Sequence, residues 1–327
     1  MLTYVRRLGI MTTFALLAAI STSSCAQQAA APHTTVARAV TLILKTGGSD
    51  YWQTVRMGAE AAAKEFNVAL KVYEPGAEDD VSGQIGLVRQ SLVEGTEAVV
   101  LAANDYEALA DVIQEADSQQ VPVITVDSEV SSPQVRSFIG IDNYKAGRQA
   151  GRKLIELIGE FGRIAVMSGG KESRNSQERE RGLLDEIAKY HGVQVLKKEY
   201  CISDETRCGE HVRNIIAEHK QIDGIVALHA VSSIGVAAEI QALGLAGQVK
   251  VISFDSTPEN IEFLQEGVIQ AAIIQNPFSM GYLGVKHALG ALNGSEVPGF
   301  VDTGTKVIDQ ENMFWSDNQK LLFPFVK

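Results

Sequence analysis

Two doubly wound α/β lobes, each a parallel sheet with helices on both faces, are what this sequence predicts. Three observations carry the prediction. Short apolar runs of strand length alternate with amphipathic helical stretches along most of the chain. The alternation breaks near residue 142 and starts again at Gly162. Two strands, "VPVITVDS" (121–128) and "VKVISFDS" (249–256), lie one in each half and end alike, on an aspartate followed by a serine. In open parallel sheets ligands bind beyond the carboxyl ends of strands, so Asp127 and Asp255 would face one cleft if the halves face each other. Closure of all the βα units into one barrel is the competing arrangement.

The elements follow in order. "AVTLILK" (39–45) is nearly all apolar, as a strand buried on both faces should be. The next stretch, 50–67, repeats Val55, Ala59, Ala62 and Phe66 at helical spacing. "VALKVYE" (68–74) is a strand, and 80–95 is a helix striped by Val81, Ile85, Val88 and Leu92 and stopped by Gly95. Strands "AVVLAAN" and "VPVITVD" flank a helix over 106–120, and "SFIGID" (137–142) leads into a helix over 143–159. The second set has strands at 162–169, 193–200, 224–230, 249–255 and 271–276, with helices at 175–191, 209–219, 232–244 and 257–267.

The N-terminus reads as processing rather than fold. Arg6 and Arg7 precede an apolar run, 8–20, too short to span a bilayer. Residues 1–24 are expected to be a signal peptide. "STSSC" (21–25) resembles a bacterial lipobox, which implies a lipidated Cys25 as membrane anchor, with simple cleavage at the following "AQQAAA" as the alternative. Residues 25–37 suit a flexible tether. Cys201 and Cys208 are close neighbours in an exported chain and suit a disulfide. Free thiols are the other reading, and zinc would need a further ligand pair, although His211 is near. A net charge of −11 and no basic run beyond Lys197-Lys198 exclude a nucleic-acid partner. No cofactor is implied.

Six stretches together carry a resemblance: "SDYWQTVRMGAEAAAKEF", "VPVITVDS", "FIGIDNYKAGRQAG", "SQERERGLLDEI", "VISFDSTPENIEFLQEG" and "AAIIQNPFSMGYLGV". They resemble the ribose-binding type of periplasmic binding protein, the sugar receptors of bacterial ABC importers. The resemblance implies type I architecture, two lobes joined by a three-strand hinge. Hinge crossings would fall near Asp142–Asn143, Gln275–Asn276 and Gly304–Lys306. The N-terminal lobe would comprise 38–142 plus 276–304, and the C-terminal lobe 143–275 plus 305–327.

The resemblance also implies a ligand set. Ser49, Tyr51 and Trp52 occupy the place of a polar residue and two aromatics that stack on sugar C–H faces, where packing the helix start is the plain alternative. Asp127 and Asp255 match the acids that accept from sugar hydroxyls, and Gln275 matches the hinge glutamine. Arg179 falls on the family arginine, with Arg181 as the other register. His229 replaces an asparagine, with core packing or helix capping as its alternative role. Two departures bear on which sugar is bound: Ser128 stands where arginine is frequent, and Glu205 where an aromatic is. Asp142 and Asn143 read as capping and hinge residues, outside the site.

The expected function is therefore a monomeric, lipid-anchored receptor that captures a small sugar or polyol and passes it to an ABC permease, with no enzymatic chemistry. A sensory binding protein that signals to a membrane histidine kinase or chemoreceptor is the alternative. A repressor effector domain is opposed by the export signal. A hydrolase using Asp127 and Asp255 as a carboxylate pair would consume its ligand.

Overall fold

A computed structural model describes residues 37–202 and 204–323. The expected signal peptide, Cys25 and all but the last tether residue lie outside the described residues. Within residues 37 to 142 run β1 (Arg38–Ile43), α1 (Asp50–Phe66), β2 (Val68–Tyr73), α2 (Val81–Val93), β3 (Ala98–Leu101), α3 (Ala110–Ser118), β4 (Val123–Val126) and β5 (Val135–Gly140). Then come α4 (Asn143–Ile158), β6 (Phe161–Ser168), α5 (Arg174–Ile187), β7 (Gly192–Tyr200), α6 (Glu205–His219), β8 (Gly224–Ala227), α7 (Ala230–Ala242), β9 (Lys250–Phe254), α8 (Pro258–Gln265) and β10 (Ala271–Ile274). The chain closes with α9 (Pro277–Leu292), β11 (Phe300–Asp302), β12 (Lys306–Asp309) and α10 (Ser316–Leu322).

These strands form two six-stranded sheets with the same plan, β11-β5-β4-β3-β1-β2 and β12-β10-β9-β8-β6-β7. Among the described residues every pairing between these strands is parallel except β10 with β12. The central strands β3, β4, β8 and β10 are buried at every position, which is why they read as unbroken apolar runs. Two separate sheets exclude the single-barrel arrangement.

The chain passes between the two sheets three times. It leaves β5 for α4, which packs on α5 and the second sheet, and returns after β10 to α9, which packs on α1 and the first sheet. It crosses again between β11 and β12, where Thr303 donates from its backbone N–H to Gly140 O at 2.7 Å.

Matched glycine contacts set the helices that carry the cleft residues. A Cβ on Gly147 of α4 would lie 2.0 Å from Arg179 O, and one on Gly182 of α5 would lie 2.0 Å from Tyr144 O. The two backbones can approach this closely only because neither position has a side chain.

Two helix starts differ by four residues from the sequence reading. Helix α6 begins at Glu205, four residues early, because Asp204 caps it by accepting from Arg207 N–H at 3.0 Å. Helix α3 begins late, because Asp105 Oδ1 accepts from the N–H groups of Glu107 and Ala108, each at 2.8 Å, and holds a turn there.

Candidate functional site

Both strand-end aspartates turn the chain in the left-handed region, Asp127 at φ 62° and Asp255 at φ 70°. Aspartate tolerates that conformation better than most residues. Their backbone N–H groups make equivalent bonds to the neighbouring strand, Asp127 to Ile139 O at 2.9 Å and Asp255 to Ile273 O at 3.0 Å. The turn ends each strand and brings the carboxylate to the lining of a single cleft of about 510 Å³ between the sheets. Ser49, Tyr51, Trp52, Asp127, Arg179, Glu205, His229, Asp255 and Gln275 all line it.

On the first-lobe side, Ser49 caps α1. Tyr51 and Trp52 meet edge to face with ring centroids 5.0 Å apart. The Tyr51 hydroxyl donates to Asp127 Oδ1 at 2.7 Å, so this ring also orients the acid. Burial first, then the nearby Asp127 and Asp255 charges, raise the Tyr51 phenol well above its ordinary value and keep it a donor.

The second-lobe side supplies donors and the other acid. Arg179, 2% exposed, donates from Nε to Asn143 Oδ1 at 2.8 Å and from Nη1 to Leu228 O at 3.0 Å, and lies 4.7 Å over the Phe254 ring. Its Nη2 is buried without a partner. Arg181 is exposed and pairs with Glu178, so the other register lies outside the cleft.

His229 has two roles. It caps α7, with Nδ1 accepting from Ser232 N–H at 3.3 Å and lying 2.6 Å from the Ser232 hydroxyl; with Nδ1 as acceptor in this cap, the proton belongs on Nε2, a buried atom with no partner. Burial lowers His229 to about 4, so the ring is neutral at pH 7. Gln275 Nε2 donates to Asp255 Oδ1 at 2.7 Å, while Gln275 Oε1 is buried and unpartnered. Burial raises Asp255 to about 6, against the pull of Arg179 and of the Gln275 amide.

Glu205 stands at the first position of α6, and burial, followed by the charges of Glu259 and Asp204, raises its carboxyl. The segment is closed by a Cys201–Cys208 disulfide, both residues fully buried. Among the described residues no group of three or more metal-ligating side chains occurs.

Sequence reasoning missed Lys45 and Asn175. Lys45, 1% exposed, follows β1 and lies 3.9 Å from Asp127 Oδ2. Asn175 Nδ2 donates to that same oxygen at 2.8 Å. A lysine closing an apolar strand was a signal of the same kind as an aspartate closing one.

A pair of like sheets, a cleft at their carboxyl ends and buried hydrogen-bonding groups facing into it define a two-lobed binding protein. The chain belongs to the periplasmic binding protein domain family, which matches residues 40–296, and within it to the ribose-binding type. The ribose import binding protein of Salmonella typhimurium is 25% identical over 282 residues, covering 86% of this chain and 93% of that protein. A carbohydrate transporter solute-binding protein from Agrobacterium radiobacter, solved with D-arabinose, is 30% identical with a TM-score of 0.86, covering 88% of this chain and all of that one. An ABC transporter solute-binding protein from Agrobacterium vitis, solved with D-fucose, is 28% identical with a TM-score of 0.84, covering 86% and 99%. The family is extracytoplasmic, binds sugars for ABC transporters and is not enzymatic.

Proposed function

We propose that this chain captures a neutral monosaccharide between its lobes and delivers it to an ABC permease, held at the membrane by a lipid on Cys25. The lobes of this reading are 38–142 plus 276–304 and 143–275 plus 305–327. The observation that carries it is the pairing of acceptors and donors around one cleft. Asp127 and Asp255 offer carboxylate oxygens, while Arg179 Nη2 and the His229 Nε2 proton are buried donors without protein partners. A sugar hydroxyl both donates and accepts, so a ring of hydroxyls meets both sets. An unpaired anion would meet two acids and is disfavoured. The sugars held by the two similar solved structures, D-arabinose and D-fucose, are neutral aldoses of the same class.

A thermal-shift panel of D-arabinose, D-fucose, D-ribose, polyols and amino sugars tests the reading. A true ligand at a hundredfold its dissociation constant adds about 2.7 kcal/mol of stability. A panel in which no neutral sugar or polyol stabilises the protein, or in which the ligand is consumed, would contradict it.

A further inference from the structure

Residues 172–175, which run from the end of the β6–α5 loop into the first turn of α5, bring the second lobe into direct contact with the first, and their bonds converge on Asp127. Glu172 O accepts from Tyr106 N–H at 2.9 Å, and the Arg174 guanidinium lies 4.9 Å over the Tyr106 ring. Ser173 accepts from the Lys45 ammonium at 2.6 Å, lies 3.3 Å from the Ser128 hydroxyl and donates to Asn175 Oδ1 at 2.6 Å. That Oδ1 also accepts from Ser176 N–H at 2.9 Å. These two donors, with Lys45 Nζ as a third at 3.4 Å, fix the orientation of the amide and leave Nδ2 to donate to Asp127 Oδ2. Tyr51 already holds the other carboxylate oxygen, so the plane of Asp127 is set from both lobes.

We propose that residues 172–175 form a clasp in which Ser173 and Asn175 are positioning residues for Asp127. Closing the lobes and setting this acceptor then become one event. Lys45 explains the energetics. Its ammonium is buried in the first lobe, and its hydrogen bonds at 2.6 and 3.4 Å both go to the second lobe, to Ser173 and Asn175. Opening the lobes removes both bonds and leaves the ammonium its first-lobe ion pairs with Glu78 at 3.8 Å and Asp127 at 3.9 Å, which is costly unless water replaces the lost hydrogen bonds. Ser128 fits the same account. A serine there, in place of a frequent family arginine, puts a small buried hydroxyl against Ser173.

The part of the proposal that concerns Asp127 rests on the sugar-binding reading, whereas the clasp itself does not. Asn175→Ala and Ser173→Ala are compared with the parent by small-angle scattering, and by stopped-flow fluorescence with D-arabinose as the probe. Both variants are expected to keep the parent's circular dichroism and show a larger radius of gyration. D-arabinose should leave the Asn175→Ala protein about tenfold faster, as loss of one hydrogen bond to a charged group implies, with its association rate within about twofold of the parent. Unchanged radii in both variants would overturn the clasp. A larger radius with unchanged dissociation would overturn the link to Asp127. If D-arabinose fails to bind the parent, the sugar reading fails for that probe, and the scattering result still decides the clasp.

Discussion

Asp255→Asn separates binding from folding. In the folded chain burial holds this carboxyl at about 6, whereas an unfolded aspartate titrates near 3.9. An acid raised on folding is destabilising once ionised. Its penalty is absent below about pH 4, grows as pH rises through 6, and then stays constant. Two units at about 1.4 kcal/mol each make it roughly 3 kcal/mol at pH 7.5. The amide keeps the size and can still accept from Gln275, but carries no charge. The variant should therefore be as stable as the parent at pH 7.5, or up to about 3 kcal/mol more stable. Its sugar affinity should fall about ten- to hundredfold, because a charge-assisted acceptor becomes a neutral one. Urea unfolding at pH 7.5 and 4.5, with calorimetric titration of the tightest sugar, measures both effects. A variant less stable than the parent by more than about 1 kcal/mol at pH 7.5 would show that Asp255 is a structural residue.

Three further outcomes follow from the same geometry. His229 is held at about 4 against an ordinary 6.5, so its contribution is present above 6.5 and is lost as pH falls toward 4. This slope opposes that of Asp255 between about pH 4 and 6. Relative to the parent, His229→Gln should therefore gain stability on acidification by about 1.4 kcal/mol per unit between about pH 6 and 4, as read by urea titration. Arg179→Lys cannot reproduce both the Asn143 and Leu228 contacts with a single ammonium. It should lower stability by about 1–3 kcal/mol and abolish detectable sugar binding in calorimetry. Reducing the Cys201–Cys208 link, or replacing both residues by serine, removes a short closed loop. It should cost about 2–3 kcal/mol in urea unfolding at pH 7.5.

Much of this arrangement was legible because its signals are local. An apolar strand that stops on an aspartate places that residue at a carboxyl end, and the duplicated pattern at Asp127 and Asp255 pointed to one cleft. Arg179 could be read only through its motif, since a helical arginine among acids ordinarily faces solvent. What stayed hidden was non-local. Asn175 and Ser173 take their meaning from Lys45, more than a hundred residues away in the other lobe, and no periodicity reports such a contact. The early start of α6 was missed because the helix was begun at Gly209, past the Asp204 cap. His229 was read as either a cap or a site residue, whereas its two ring nitrogens allow both.

The central assertion is that Asp127 and Asp255, one from each lobe, hold the same sugar ring. A crystal structure with the tightest-binding sugar tests it most directly. Hydroxyls of a single ring should donate to both carboxylates, with Arg179 Nη2 and His229 Nε2 donating to that ring. A sugar bound to only one of the two acids, or outside the cleft, would contradict it.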